Sequence, residues 1–145
     1  MAPLIRPLGP EDEYALIPID VSYSTAHLLD PMVGRAQLSF YSRTGHSFTA
    51  EETGMITGFI LGHAMWDGSQ PSVRVRRVVS SENQSYVRAA LLEAVIKSAY
   101  DSGVYSIELE LVLSDEASLS VLEEKGFEVR PMALYGRRLG SQIRP

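Results

Sequence analysis

Between Ser47 and Leu113 the apolar residues change their period twice, and that change constrains the fold more than anything else in the chain. "HSFTAEE", "MITGFILGHAMW" and "PSVRVRRVV" are β-rich runs, and in the last Val73 and Val75 alternate with Arg74 and Arg76. A period of two marks a strand with one buried face. Glu52-Thr53-Gly54 and Asp67-Gly68 between the runs are tight-turn signals, so three consecutive antiparallel strands are expected. The period then becomes helical: Val87, Leu91, Ala94, Val95 and Ala99 recur on one face, and Gly103 stands just past the end. "YSIELELVL" returns to a period of two, with Ile107, Leu109 and Leu111 against Glu108 and Glu110. A helix between two strands of one sheet calls for a parallel crossover. The sheet must therefore be mixed.

The flanks add smaller elements. "PLIRPLG" reads as a short strand. "PEDEYALIPI" starts a helix, with Pro10 in the first turn and acids at the N-terminus, and Pro18 is expected to end or bend it. "STAHLLD" and "GRAQLSFYSR" read as short helical pieces. Asp115 is placed to cap a helix through "EASLSVLEEK", Gly126 ends it, and "FEV" and "MALYGRRL" read as closing strands. The expected fold class is α/β (α+β), a mixed, mostly antiparallel central sheet of 6-7 strands with helices on both faces. Residues 1–145 read as a single domain, without repeat or linker.

Composition narrows the function. The chain has 145 residues and a net charge of −5, which disfavours a partner bound along its phosphates; no nucleic acid is expected. It has no cysteine, which excludes disulfides, thiol catalysis and thiolate metal sites. No apolar run reaches membrane-spanning length, and "MAPLIRPLGPEDE" lacks the apolar centre of a signal peptide, so a cytoplasmic protein without a membrane partner is expected. His27 and His46 have no spacing that suggests a metal, and none is expected. No P-loop, dinucleotide fingerprint or Ser–His–Asp motif is present.

The order of elements, with these local patterns, resembles the GNAT superfamily of acyl-CoA-dependent N-acetyltransferases. The resemblance covers most of the chain and is best from Ser47 to Leu139. "SFTAEETGMITGFILG" is similar to the hairpin of the family's second and third strands. "AALLEAVIKSAYDSGVYSIELEL" is similar to its main helix and fifth strand, and "DEASLSVLEEKGFEV" to its N-x-x-A-x-x-L-Y-E-K-x-G-F segment. The resemblance implies a GNAT-like domain whose fourth strand splays from the fifth, with the pantetheine arm of acetyl-CoA in the gap. Backbone groups near Val78 and Val79 would polarise the thioester carbonyl. The family's (Q/R)-x-x-G-x-G/A loop would place the pyrophosphate on the amides of a helix N-terminus.

Aligned on "ALLEA", that loop is here Asn83-Gln84-Ser85-Tyr86-Val87-Arg88, with Asn83 in the Q/R place and Tyr86 and Arg88 in place of the glycines. Two readings stand side by side. A capping box of Ser81 and Gln84 satisfies the amides while Tyr86 and Arg88 narrow the site, or Arg88 itself meets a phosphate. The matching segment has Asp115 for the family's Asn, Ser118 for its Ala and Leu122 for the frequent tyrosine that protonates the leaving thiolate. His63, mid-strand, is a candidate base and Tyr135 a candidate acid; the plainer reading of each is a packed sheet residue. Arg74, Arg76 and Arg77 either face an acidic ligand or pair with Glu108 and Glu110. Unbroken alternation puts Arg77 on the face of Val73 and Val75, near the strand end.

Two functions follow. One is N-acetyl transfer from acetyl-CoA to a small-molecule or peptide amine acceptor. The other is a non-catalytic GNAT-fold ligand- or protein-binding module that has lost conventional acetyl-CoA binding. A homodimer is left open.

Overall fold

The structure, a computed structural model, describes residues 2–140. One sheet of five strands carries the fold, in the order β1-β2-β3-β4-β5. β1 is Leu4–Pro7, β2 Phe48–Glu52, β3 Met55–Asp67, β4 Gln70–Ser80 and β5 Ile107–Leu109. The first four are antiparallel, and β5 runs parallel to β4. The β2–β3 connection is the expected two-residue turn, with Thr53 and Gly54 at φ 48° and 82°, the paired positive φ of the hairpin turn that matches strand twist.

Helix α3, Ser85–Asp101, makes the crossover from β4 to β5 as the change of period required. Successive strand residues divide the interior into two layers. Ile60, Val73, Val75 and Val78 pack with Val87, Leu91, Leu92 and Val95 of α3. Phe59, Leu61 and Val79 pack on the other face with Leu16 and Tyr23 of α1, Glu13–His27, and Leu38 and Tyr41 of α2, Arg35–Tyr41. Gly58 lets α3 come close: a Cβ there would lie 2.7 Å from the Val79 carbonyl oxygen and 2.9 Å from Val87 Cγ1. Asp115 caps α4, Glu116–Glu124, by accepting from the Ser118 amide at 3.1 Å.

Four expectations need correction. The sheet has five strands rather than 6-7 among the described residues; residues 127–140, where two closing strands were expected, form none. That segment finds no strand partner among the described residues, and its Val129, Met132, Leu134, Tyr135 and Leu139 are 64–93% exposed. β5 is three residues long, where the pattern suggested nine. Pro18 does not end α1, which runs on to His27; it lies on the exposed side, where water can serve the carbonyl its missing N–H leaves free. Finally, Arg77 is buried on the α1 face. Leu61 is opposite Arg77 and Gly62 opposite Val75, so Arg76 is an extra residue, a β-bulge that reverses the alternation.

Arg77 therefore meets Asp20 of α1, Nη1 to Oδ1 at 2.8 Å, with a second bond to Ser24 Oγ at 3.0 Å. Asp20 Oδ2 accepts from the amides of Met32 and Val33 at 2.7 and 2.9 Å. One buried pair thus ties β4, α1 and the following loop. Removing one member of such a pair strands the other charge. Arg77→Met is expected to cost about 3 kcal/mol in urea unfolding, and Asp20→Asn in the same chain to recover part of it.

Candidate functional site

The bulge also opens the sheet. β5 pairs with Val73–Val75 and no further. The last bond between them runs from the Glu110 amide to the Val75 oxygen at 3.2 Å. Beyond it, Arg77 to Ser80 pair only with β3, so one edge of β4 at Val78 and Val79 has no ladder partner among the described residues. This break in pairing between the end of β4 and residues 110–115 is the gap in the sheet.

Groups from both faces of the sheet converge on that gap. From α1, Tyr23 donates its hydroxyl to Asp115 Oδ2 at 2.5 Å, and both residues are buried. The guanidinium of Arg77 lies 5.6 Å over the Tyr23 ring. From α3, Arg88 enters fully buried, 0% exposed, and its Nη2 donates to Asn83 Oδ1 at 3.0 Å. Its Nε and Nη1 have no acceptor among the described residues, and the hydroxyl of Ser118 has no partner there either. Arg88 is close enough to act electrostatically on both Tyr23 and Asp115. Burial and the hydrogen bond to Asp115 push the Tyr23 hydroxyl well above its ordinary range, so it stays a neutral donor. Burial alone would raise the Asp115 carboxyl; the bonds from Tyr23 and Ser118 and the field of Arg88 outweigh it and hold the group below its usual value.

The start of α3 differs from the expected capping box. Glu82 and Asn83 adopt positive φ, 54° and 55°, and carry the chain through a 3-10 turn, so that the helix begins at Ser85. Ser81 Oγ is turned away to the Thr57 oxygen at 3.1 Å. Among the described residues no side chain caps the helix, and the Ser80 hydroxyl and Gln84 Oε1 are buried without a partner. The amides of Val87 and Arg88 return to the Gln84 oxygen at 3.2 and 3.4 Å, while those of Ser85 and Tyr86 have no acceptor among the described residues. Tyr86 leans outward, its hydroxyl donating to Glu52 at 2.8 Å. The two bulky residues in the loop thus part company: Tyr86 leaves the helix end and Arg88 dives beneath it.

The structure brings Val78, Val79, Asn83, Arg88, Asp115 and Ser118 around one gap. Ser85 is exposed at the helix start, and Val87 is core. His63 is not at the gap: it pairs across from Arg74, before the bulge, with its ring 6.3 Å from Tyr41. Tyr135 stands in solvent, 93% exposed. Leu122 is core. Arg74 bonds Glu108 at 2.8 Å and Glu110 at 3.3 Å, and Arg76 bonds Glu110 at 3.2 Å, so the basic strand is answered by neighbouring acids. His46 is buried against Ser98 Oγ at 2.8 Å, and burial, with His63 nearby, lowers its pKa. Among the described residues no group of three or more acids and histidines could hold a metal, and no helix is long and apolar enough to cross a membrane. Sequence reasoning missed Tyr23. Its signal was there: Leu16, Asp20, Tyr23 and Ser24 share the buried stripe of α1, and an acid on such a stripe needs a buried partner.

This sheet, its splayed fourth and fifth strands and the crossover helix define a GNAT acetyltransferase fold. The family model described as a protein of unknown function, DUF1999, matches residues 32–141, and the chain belongs to that family. It is similar to TTHA1254 of Thermus thermophilus, whose wild-type crystal structure is 35% identical with a TM-score of 0.80 over 96% of this chain and 99% of that one. The ribosomal-protein-alanine N-acetyltransferase of Brucella melitensis biovar Abortus 2308 superposes with a TM-score of 0.74 at 16% identity, over 96% and 100% of the chains. The aminoglycoside N-acetyltransferase AAC(6')-Iy in complex with CoA gives 0.73 at 18%, over 94% of each. At these last two identities the likeness is one of fold. No curated protein matches the chain.

The sign of the Asp115 effect sets a pH dependence. A carboxyl held below its ordinary value near 3.8 stabilises the fold fully above that value and loses the contribution as pH falls through the folded value. Urea midpoints measured from about pH 6 down to 2 should fall on the acid side, and Asp115→Asn should flatten that limb while lowering stability at neutral pH.

Proposed function

We propose that this protein is a non-catalytic GNAT-fold binding module whose acyl-CoA cleft is closed by its own side chains. The observation that carries the reading is the buried Tyr23–Asp115 hydrogen bond, 2.5 Å, made across the gap between β4 and β5. A pantetheine arm in that gap would have to break it and leave the Asp115 carboxylate beside Arg88 to be satisfied anew. Breaking a buried charge-assisted bond costs about 1.5–3 kcal/mol, which any cofactor would have to exceed. The absence of an acid at Leu122, and the placement of His63 and Tyr135 away from the gap, point the same way.

A second reading has its own support. The free amides of Ser85 and Tyr86 and the two unpartnered nitrogens of Arg88 are hydrogen-bond donors without an acceptor among the described residues. If Tyr23 swings out, acetyl-CoA could seat its pyrophosphate there. An acceptor amine would then attack the thioester carbonyl near Val78 and Val79, forming the amide bond as the carbon–sulfur bond breaks, with the amine's proton passing through water to the leaving thiolate.

Acetyl-CoA titration by calorimetry and thermal unfolding separates the two. A ligand at about 100 times its Kd stabilises the native state by about 2.7 kcal/mol. We expect no shift for the wild-type chain and a measurable one for Tyr23→Ala, in which the gap is opened. A wild-type shift, with amine-dependent release of free thiol, would establish the second reading. The chain contributes no thiol background, because it has no cysteine.

A further inference from the structure

Buried side-chain polar atoms without a partner among the described residues concentrate at the start of α3: Ser80 Oγ, Gln84 Oε1, and Nε and Nη1 of Arg88. Ser80 ends β4. Gln84 directly precedes the helix, and Arg88 stands one turn further on, on the same face. Arg88 is the decisive member. It is fully buried, and its hydrogen bond from Nη2 to Asn83 Oδ1 draws the guanidinium back under the helix start. The first N–H groups of a helix project beyond its N-terminus, and those of Ser85 and Tyr86 have no acceptor among the described residues. Two guanidinium nitrogens thus lie beside two free amides and the positive end of a 17-residue helix.

The charged groups nearby are committed elsewhere or turned away. On β4, Arg77 is a second cation, and its acceptor is Asp20. Before α4, the Asp115 carboxylate accepts from Tyr23 and from the Ser118 amide, and makes no direct bond to Arg88 among the described residues. In the turn before the helix, Glu82 is exposed. The remaining groups are donors or can become so: the Ser80 hydroxyl donates, and the Gln84 carboxamide offers its NH2 when turned over. What fits such a set is an anion whose oxygens accept from several directions. It must also be small, because the Tyr23–Asp115 bond bars the adjoining gap. Tyr86, which leans out to Glu52, leaves the helix end open to it.

We infer that this chain binds a free tetrahedral oxyanion, of the size and charge of orthophosphate, between the Arg88 guanidinium and the amides of Ser85 and Tyr86. On the closed-cleft reading proposed above, on which this rests, the oxyanion is the ligand of the binding module. The grip differs from a glycine-rich loop, where main-chain amides face the diphosphate of a large cofactor. Here a buried guanidinium supplies the charge, and the ligand carries neither nucleoside nor pantetheine.

The probes are orthophosphate and sulfate, with chloride at matched ionic strength as the screening control, in thermal unfolding and calorimetry of the full chain. Both oxyanions should raise the melting temperature beyond chloride. Arg88→Met should weaken orthophosphate at least about tenfold, the loss of one charge-assisted bond, and Arg88→Lys should restore part of the affinity. Should Arg88→Met not fold, amide resonances of the wild-type chain decide: those of Ser85 and Tyr86 should move furthest on phosphate titration. Equal effects of orthophosphate and chloride, an Arg88→Met chain that binds like the wild type, or resonances at the helix start that stay still would each overturn the proposal. Acetyl-CoA separates its failure from that of the closed cleft. Silence from both ligands overturns the oxyanion site alone. Acetyl-CoA that binds and displaces orthophosphate makes the anion a cofactor's diphosphate, and overturns both.

Discussion

The bulge at Arg76 is the constraint from which the rest of the molecule follows. One extra residue between Val75 and Arg77 does two things at once. It bends β4 away from β5 just where their ladder stops, which makes the gap. It also reverses the side-chain alternation, so that Arg77 leaves the α3 face and enters the α1 face. An arginine there is tolerable only with a buried acid, and Asp20 supplies it. Asp20 in turn holds the amides of Met32 and Val33, so the loop after α1 is set by the same pair. Tyr23, one turn along α1, is then delivered under the opening.

The gap is consequently lined by charged groups as well as by Val78 and Val79. Arg77 has a full partner in Asp20. Asp115 is satisfied by Tyr23 and by the Ser118 amide. Arg88 is the member left short, with one acceptor among the described residues for a guanidinium that can donate five hydrogen bonds. Buried charges are costly unless paired, and the carboxylate near enough to act on Arg88 is Asp115, which makes no direct bond to it among the described residues. A network in which one cation is under-satisfied is an incomplete one. It is the part of this molecule with most to gain from an anion, and that is why two readings of the cleft exist.

Much of the fold was legible because it is written in periods. The three-strand run, both turns, the crossover helix and the Asp115 cap rest on spacing alone, and each is found in place. Register was harder. Nothing in "PSVRVRRVV" marks the bulge, since Arg76-Arg77 is compatible with either phase, and the phase was decided by Asp20, fifty-seven positions away. The capping box failed for a similar reason: Ser81 and Gln84 have the right spacing, but positive φ at Glu82 and Asn83 sends Ser81 to Thr57. Of the candidate site, Val78, Val79, Asn83, Arg88, Asp115 and Ser118 converge. Tyr23 was visible only as a member of the buried stripe of α1; its partner Asp115 is ninety-two residues distant, and no local pattern joins the two.

β5 links the two unusual features of the sheet. It is held to β4 by three register pairs, it bounds the gap on one side, and on its other side Tyr105, Ser106 and Ile107 line a groove of about 540 Å³. A strand paired so briefly is set as much by what lies on its free edge as by β4. Whatever fixes β5 therefore also fixes residues 110–115, and with them the position of Asp115 opposite Tyr23. Linkage makes any such coupling reciprocal: a ligand that opens the gap by moving β5 must be weakened by anything that holds the strand in place, and by the same factor in both directions.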